Sequence, residues 1–469
     1  MPEIRFGTDG WRAVVGEDFT PENIADVIQA FCDLYPALPH TGWPVIVGYD
    51  RRNQSSESAE LIASILLGNK IPVILSKNYC PTPAVSWMTK NKNATAGVMV
   101  TASHNPPKWN GIKFKEHTGG AASENYVRSI EEQIRKNHAQ HRKPKKGELQ
   151  KNKLLTFFDP SQEYLKTIMS YVDLPNIMRQ LQKPVLVDPL YGAGTGLMKI
   201  ILGDHVEEIH TVADPNFGGL NPEPIAPNIN ELLERMKSGE YTCGLILDGD
   251  ADRAAVVDEH GTYITTHEFF SLLIRHAVEH KKLRGKIIKS ISTTQMVNRL
   301  GKKYGLEVET VPVGFKYISP AMNEPGVLMG GEESGGYGFP FHIPERDGLF
   351  SHLLLLEHMA VTKKPLSQLV ADLQKECGPM FYRRNDYHLS PEHIEKVREK
   401  FNLLNVTTCA EHKQAQHTKI DGHHFRFDDD SWLLFRASGT EPLIRIYAEA
   451  PSMKQVEVML QEGKKHIGL

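Results

Sequence analysis

The sequence predicts an α/β fold: three similar units with mixed sheets and covering helices, followed by a smaller C-terminal α+β domain. Three observations carry that expectation. Short aliphatic runs alternate with helical stretches through most of the chain, the pattern of a largely parallel sheet covered by helices. Three of those runs open alike, on Pro44, Pro72 and Pro184, each followed by valine and two more aliphatics. Beyond about Gly378 the alternation stops and strand-like runs follow one another directly. At 469 residues the chain exceeds what one hydrophobic core organises. The divisions are expected at 1–155, 156–260, 261–376 and 377–469.

Taken in order, Phe6-Gly7-Thr8-Asp9-Gly10-Trp11-Arg12 reads as a glycine-punctuated loop holding an arginine. Thr20-Pro21-Glu22 supplies an N-cap, a proline at the first helical position and an early acid, so a helix runs through Ile24 to Phe31. Pro44 to Val47 begins a strand that ends in Asp50-Arg51-Arg52; a helix over Ser58 to Leu67 and a strand over Pro72 to Leu75 follow. Ala96 to Val100 is a buried strand, and it delivers Thr101-Ala102-Ser103-His104-Asn105-Pro106 onto a loop that Pro106-Pro107 keeps from becoming helix. A small hydroxyl at the end of such a strand stands where α/β proteins place their chemistry. The basic run from Arg135 to Lys153 reads as a solvated helix end and linker.

The unit recurs at Pro184 to Val187, which leads through Gly192-Ala193-Gly194-Thr195-Gly196 into a helix near Leu197 to Leu202. That glycine spacing matches neither the dinucleotide nor the P-loop fingerprint and predicts a structural turn. Lys286 to Ile291, a helix over Gln295 to Tyr304 and a strand over Glu307 to Val311 repeat the order. The tail offers strands at Gly422–Phe427, Ser431–Phe435 and Leu443–Ala448, and a helix near Lys454 to His466.

Three further stretches carry chemistry. Between strands at Gly244–Leu247 and Ala254–Val257 lies Asp248-Gly249-Asp250-Ala251-Asp252-Arg253. Three carboxylates at alternate positions repel one another unless a cation binds, and their hard oxygens suit Mg²⁺. Arg253 occupies the position where a calcium loop of the EF-hand type needs glycine. Gly330 to Gly336 encloses Glu332-Glu333-Ser334, groups that can donate to and accept from sugar hydroxyls; Val313-Gly314-Phe315-Lys316 puts a lysine on a glycine loop upstream. Arg436-Ala437-Ser438-Gly439-Thr440-Glu441-Pro442 offers the guanidinium, hydroxyls and backbone N–H groups of a phosphate clamp.

With these stretches in order, the sequence resembles the α-D-phosphohexomutase superfamily. The resemblance implies four domains around a central cleft, each giving one wall. It implies that Ser103 carries a phosphoryl group, that Asp248, Asp250 and Asp252 bind one Mg²⁺ per chain with the phosphoserine as a further ligand, and that Lys113 serves acid–base chemistry. Arg12, His104 and Arg253 fall near the reacting phosphate, Glu332 and Ser334 grip sugar hydroxyls, and Lys316 belongs to the substrate set. Arg436, Ser438, Gly439 and Thr440 would clamp the non-reacting phosphate. Dual-specificity relatives show Gly-Glu-Met-Ser-Gly-His in the sugar loop; here Glu333 and Gly336 replace the methionine and the histidine, and His342 is the nearest histidine in sequence. The Glu332-Glu333-Ser334 and Gly314-Phe315-Lys316 contexts look like the phosphoglucomutase branch.

The expected activity is therefore interconversion of glucose 1-phosphate and glucose 6-phosphate, with hexose 1,6-bisphosphate as intermediate and activator. The rivals are a phosphomannomutase or dual-specificity mutase, a hexose 1,6-bisphosphate synthase of the same fold and, in another class, a non-catalytic sugar-phosphate-binding regulator. A net charge of -3 argues against nucleic acid as partner. Five widely spaced cysteines without a CxxC pair and the absence of long apolar runs predict a reduced, cytoplasmic protein, off the membrane, as monomer or homodimer.

Overall fold

The computed structural model describes residues 4–7, 9–160, 162–390, 397, 400–437 and 443–469. Four sheets follow one another along the chain. The first has the strand order Trp11–Val14, Trp109–Glu116, Ala96–Val100, Val45–Tyr49, Val73–Ser76, Leu155–Phe158. Its last four strands run parallel, and the first two attach antiparallel. The second repeats the plan: Val206–Glu208, Val185–Asp188 and Gly244–Leu247 are parallel, then Ala254–Val257 and Tyr263–Ile264 turn antiparallel. So does the third, with Val308–Val311, Lys286–Ser290 and Val327–Gly331 parallel, followed by antiparallel Tyr337–Phe339 and Ile343–Arg346.

The fourth sheet is antiparallel throughout, in the order Phe381–His388, Leu443–Ala450, Trp432–Ala437, His423–Phe427, His412–Thr418, Thr408–Cys409. The helix Met453–His466 buries Val456, Met459 and Leu460 against it. The four chemistry-bearing stretches thus occupy equivalent places, each joining two neighbouring antiparallel strands.

Local signals explain most elements. Thr20 accepts from the Asn23 N–H at 3.3 Å and starts the helix Pro21–Leu34. The helix Gln295–Tyr304 has the expected ends, with Thr294 capping its start. The opening stretch differs from expectation: Trp11–Val14 is a strand, because Trp11 and Ala13 bury against the core while its backbone pairs with Trp109–Glu116. The helix Gly348–Thr362 is buried almost all round, so it carries no amphipathic period to read. The first sheet runs on to Phe158 and the second to Ile264, a few residues past the divisions placed at 155 and 260.

One continuous apolar core joins the second and third units and takes in Ala84, Val85, Trp87 and Met88 from the helix Thr82–Asn91 of the first. The fourth unit has a core of its own. It meets the third through a small patch of Ile291, Trp432, Leu434 and Tyr447. Among the described residues no helix is long and apolar enough to cross a membrane. All five cysteines are free and buried.

Candidate active site

The serine loop is held from behind by a buried ion pair. The Arg52 guanidinium donates to the carbonyl oxygens of Ser103 (2.5 Å), Asn105 (2.6 Å), Trp109 (2.9 Å) and Pro106 (3.1 Å). Asp50 lies 3.3 Å from Arg52 Nε and accepts from Thr101 Oγ1 at 2.6 Å and Ser55 Oγ at 2.7 Å. Both charges are fully buried, so removing either would leave the other uncompensated. Read from sequence, Asp50-Arg51-Arg52 is only the polar end of a strand; charged residues leaving a buried strand were the available signal. The loop so fixed holds Ser103 in the left-handed region, with φ of 52°, a conformation that costs an ordinary side chain about 1–3 kcal/mol.

Ser103 faces the acidic turn of the second unit, and its Oγ donates to Asp248 Oδ2 at 2.8 Å. The two loops meet backbone to backbone: a Cβ at Gly249 would lie 2.5 Å from the Ser103 carbonyl oxygen. Glycine is required there by close approach. The Gly192–Gly196 turn is structural, as expected, because Ala193 N–H donates to the Gly249 carbonyl at 2.9 Å and supports the acidic turn.

Asp248, Asp250 and Asp252 are buried, and their carboxylate oxygens lie within 4.8 Å of one another. Asp250 Oδ1 and Asp252 Oδ1 are buried with no hydrogen-bond partner. Such orphaned oxygens in a three-carboxylate set fit a hard divalent cation. Burial raises the Asp248 carboxyl well above its ordinary range, and the adjacent Asp252 and Asp250 add to the effect. Thr82 Oγ1 donates to Asp250 Oδ2, tying the turn to the first unit.

Lys113 enters from the strand Trp109–Glu116. Its Nζ contacts Asp252 Oδ2 at 2.7 Å, Asp250 Oδ2 at 2.8 Å and Asp9 Oδ2 at 2.8 Å. Burial opposes the ammonium, but those carboxylates prevail and raise its pKa. Arg12 Nη1 donates to Asn105 Oδ1 at 2.6 Å, and Arg253 Nη1 donates to His104 Nδ1 at 2.9 Å. Burial, then the charges of Arg253 and Arg12, push His104 well below its ordinary range, so the imidazole is neutral.

Sequence reading missed Arg346, a buried residue that links three units. Its guanidinium reaches Asp9 at 2.6 Å, Asp252 at 2.9 Å and Glu332 at 3.4 Å. It lies over the Phe315 ring. Its stem also fills the space where the resemblance places a histidine: a Cβ at Gly336 would run into Arg346 Cδ. His342 does not take that place, since its Nε2 is held 2.9 Å from Asp347 Oδ2 and its ring packs on Phe350. Asp9 and Arg346 are far apart in sequence, which is why no local motif pairs them.

In the sugar loop, Ser334 Oγ donates to Glu332 Oε1 at 2.7 Å. Glu333 points elsewhere, accepting from Ser292 Oγ at 2.6 Å and Ser290 Oγ at 3.0 Å. Lys316 pairs with Glu124 at 3.4 Å and lies over Tyr317, so its ion pair is with the first unit rather than with the sugar loop. Arg436 donates through Nε to Asp421 Oδ2 at 2.7 Å. Ser438, Gly439 and Thr440 lie outside the described residues. The structure therefore gathers Ser103, His104, Lys113, Arg12, Arg253 and the acidic triad, and joins Glu332 and Ser334 to them through Arg346.

Comparison with known proteins accords with this arrangement. The families described as "Phosphoglucomutase/phosphomannomutase" alpha/beta/alpha domains I, II and III match residues 3–141, 162–261 and 265–377, and the C-terminal domain matches 396–462. A "Phosphoglucomutase/phosphomannomutase" of Thermococcus kodakarensis is 32% identical over 98% of this chain and 97% of its own. A "Phosphoglucosamine/phosphogalactosamine mutase" of Sulfurisphaera tokodaii is 29% identical, covering 98% of both chains. A solved structure from Thermus thermophilus, which carries a provisional phosphomannomutase name, superposes with a TM-score of 0.85 at 30% identity over 99% of both chains. A regulator without catalytic function is thereby set aside in favour of an enzyme of the mutase type. With four domain matches in order and a relative of that identity along its whole length, the chain belongs to the phosphoglucomutase/phosphomannomutase family of the α-D-phosphohexomutase superfamily.

Proposed function

We propose that the chain interconverts glucose 1-phosphate and glucose 6-phosphate through a phosphoserine at Ser103. The observation that carries this reading is the Ser103 hydroxyl, 2.8 Å from Asp248 and pinned by Arg52 on a loop that faces the acidic triad. Phospho-Ser103 passes its phosphoryl group to a hexose hydroxyl: the new P–O bond forms as the Ser103 Oγ–P bond breaks. The hexose hydroxyl loses a proton and Ser103 Oγ gains one. The carboxylates around Lys113 raise its pKa and keep it an ammonium, so it contributes fixed positive charge beside the acidic triad rather than an easily released proton. Glucose 1,6-bisphosphate then turns in place, and the phosphate from its other end returns to Ser103, regenerating the phosphoenzyme; the same bisphosphate charges an unphosphorylated chain.

Asp248, Asp250 and Asp252 would hold Mg²⁺, which supplies charge neutralisation on the transferred phosphoryl group. Arg12 and Arg253 add positive charge beside the serine loop. Glu332 and Ser334 face the sugar hydroxyls, and Arg436 holds the phosphate that is not reacting. The Glu332-Glu333-Ser334 sequence with glycine at 336 supports glucose. The names of the relatives favour a second reading, mannose or glucosamine phosphate, on the same chemistry.

Side-by-side turnover of glucose, mannose and glucosamine 1-phosphates, with Mg²⁺ and trace glucose 1,6-bisphosphate, tests the assignment. Intact-mass analysis of the same sample reads the Ser103 phosphate. A clear preference for glucose 1-phosphate is expected. Preference for another hexose, or accumulation of bisphosphate without isomer, overturns the substrate while keeping the phosphotransfer.

A further inference from the structure

Among the described residues, three carboxylates of the fourth unit make bonds to the third: Asp430, in a partly exposed ion pair with Arg299 at 3.4 Å, and Glu449 and Asp421, which differ in kind. Glu449 is fully buried; its Oε2 accepts from the Gln295 backbone N–H of the third unit at 2.9 Å and from the Trp432 indole of its own unit at 2.7 Å. With the apolar patch of Ile291, Trp432, Leu434 and Tyr447 beside it, this contact is closed to water. Asp421 stands in a more open contact. Its side chain keeps 23% of its surface exposed and Arg436 keeps 17%, so water and ligands reach that pair.

Asp421 sits on the turn between His412–Thr418 and His423–Phe427. The turn is pressed against the strand that carries Arg436, since a Cβ at Gly422 would run into the Phe435 carbonyl. One oxygen, Asp421 Oδ2, accepts both Arg436 Nε at 2.7 Å and the backbone N–H of Val313 at 3.0 Å. Val313 opens the Gly314-Phe315-Lys316 stretch of the third unit. Engaging the guanidinium at Nε, with Tyr447 as a further side-chain partner, fixes the plane in which it can meet a phosphate.

We propose that Asp421 is a positioning residue for the phosphate clamp: it aims Arg436 and fastens the fourth unit to the Val313 loop of the third through a single shared oxygen. Phosphate affinity and the angle of the fourth unit are thereby coupled, because losing the Val313 bond also loosens the acceptor that orients Arg436. The inference rests on the reading of Arg436 as the phosphate ligand in the proposed function.

The test compares Asp421→Ala with Asp421→Asn. Losing a charge-assisted hydrogen bond in Asp421→Ala is expected to raise KM for glucose 1-phosphate about tenfold while kcat stays within about twofold. Asp421→Asn keeps a carbonyl oxygen in the same place and is expected to recover most of the loss. Small-angle X-ray scattering of the substrate-free chains should show a broader distance distribution for Asp421→Ala than for wild type. An unchanged KM in Asp421→Ala, a fall in kcat alone, or identical scattering overturns the proposal. Should the wild type turn over no hexose phosphate, the substrate assignment fails by itself. Calorimetric titration with inorganic phosphate then decides this inference together with the scattering: weaker binding in Asp421→Ala supports it and equal binding overturns it.

Discussion

Ser103 and Asp248 come from different units, yet their side chains meet at 2.8 Å, and the backbones behind them are as close as a glycine permits. The Ser103 hydroxyl is therefore presented by one unit to the acidic turn of another. Replacing Ser103 with alanine removes the oxygen proposed to carry the phosphoryl group and leaves the bonds of Arg52 to the loop carbonyls in place. Turnover of every hexose phosphate should fall roughly a thousandfold or more, with the unfolding midpoint close to wild type. A Ser103→Ala variant that keeps near wild-type kcat would sink the phosphoserine route.

Arg52 touches no substrate in this reading, and its loss should still be severe. Arg52→Met strands Asp50 as a buried, uncompensated carboxylate and frees four carbonyl oxygens of the serine loop. A cost of about 3–5 kcal/mol is expected, measured by urea unfolding. A variant within about 1 kcal/mol of wild type would show that the pair does not hold the loop.

The space at residue 336 makes a third case. Gly336→Ala places a methyl group against the buried stem of Arg346, and Arg346 must move away from Asp252, Asp9 or Glu332. Overpacking of this kind costs about 1–3 kcal/mol. It should lower kcat/KM more than tenfold, since the guanidinium that joins three walls is displaced. Unaltered kcat/KM together with unaltered stability would mean that Arg346 has room to spare.

Mild acid should destabilise the fold through its buried histidines. Burial drives His267 and His424 down to about 3 and His352 down to about 4. All three are neutral in the folded chain at neutral pH, while the unfolded chain protonates them near pH 6.5. The unfolded state binds more protons, so stability rises with pH and is lost as pH falls below about 6.5. At pH 5.5 each unfolded histidine gains about 1.4 kcal/mol, together roughly 4 kcal/mol. Urea midpoints at pH 7 and pH 5.5 read the difference; equal midpoints would contradict the burial of these rings.

Much of this was legible in the chain because its signals are local. Thr20-Pro21-Glu22 announces its helix, and Asp248 to Arg253 announces a cation site through repulsion alone. The residues that escaped reading act over long separations. Asp9 and Arg346 meet only because the first and third sheets bring their loops together, and Arg52 meets the serine loop, 51 positions on, because their strands are neighbours in the first sheet. Trp11–Val14 looked like loop because four residues beside glycines show no period of their own; its strand exists through pairing with Trp109–Glu116. Gly336 was visible as a departure from the family pattern, but the side chain filling the gap was not, since it lies ten residues on in the chain.

The equivalent placement of the four site stretches, each between two neighbouring antiparallel strands, has a consequence for inheritance. Strand pairing fixes where each connection starts and ends, so its interior can drift without disturbing the sheet that bears it. On the proposed reading, a descendant can change its sugar preference within the Glu332 to Gly336 connection, provided Arg346 changes with Gly336, while the serine loop and the acidic turn are passed on unaltered.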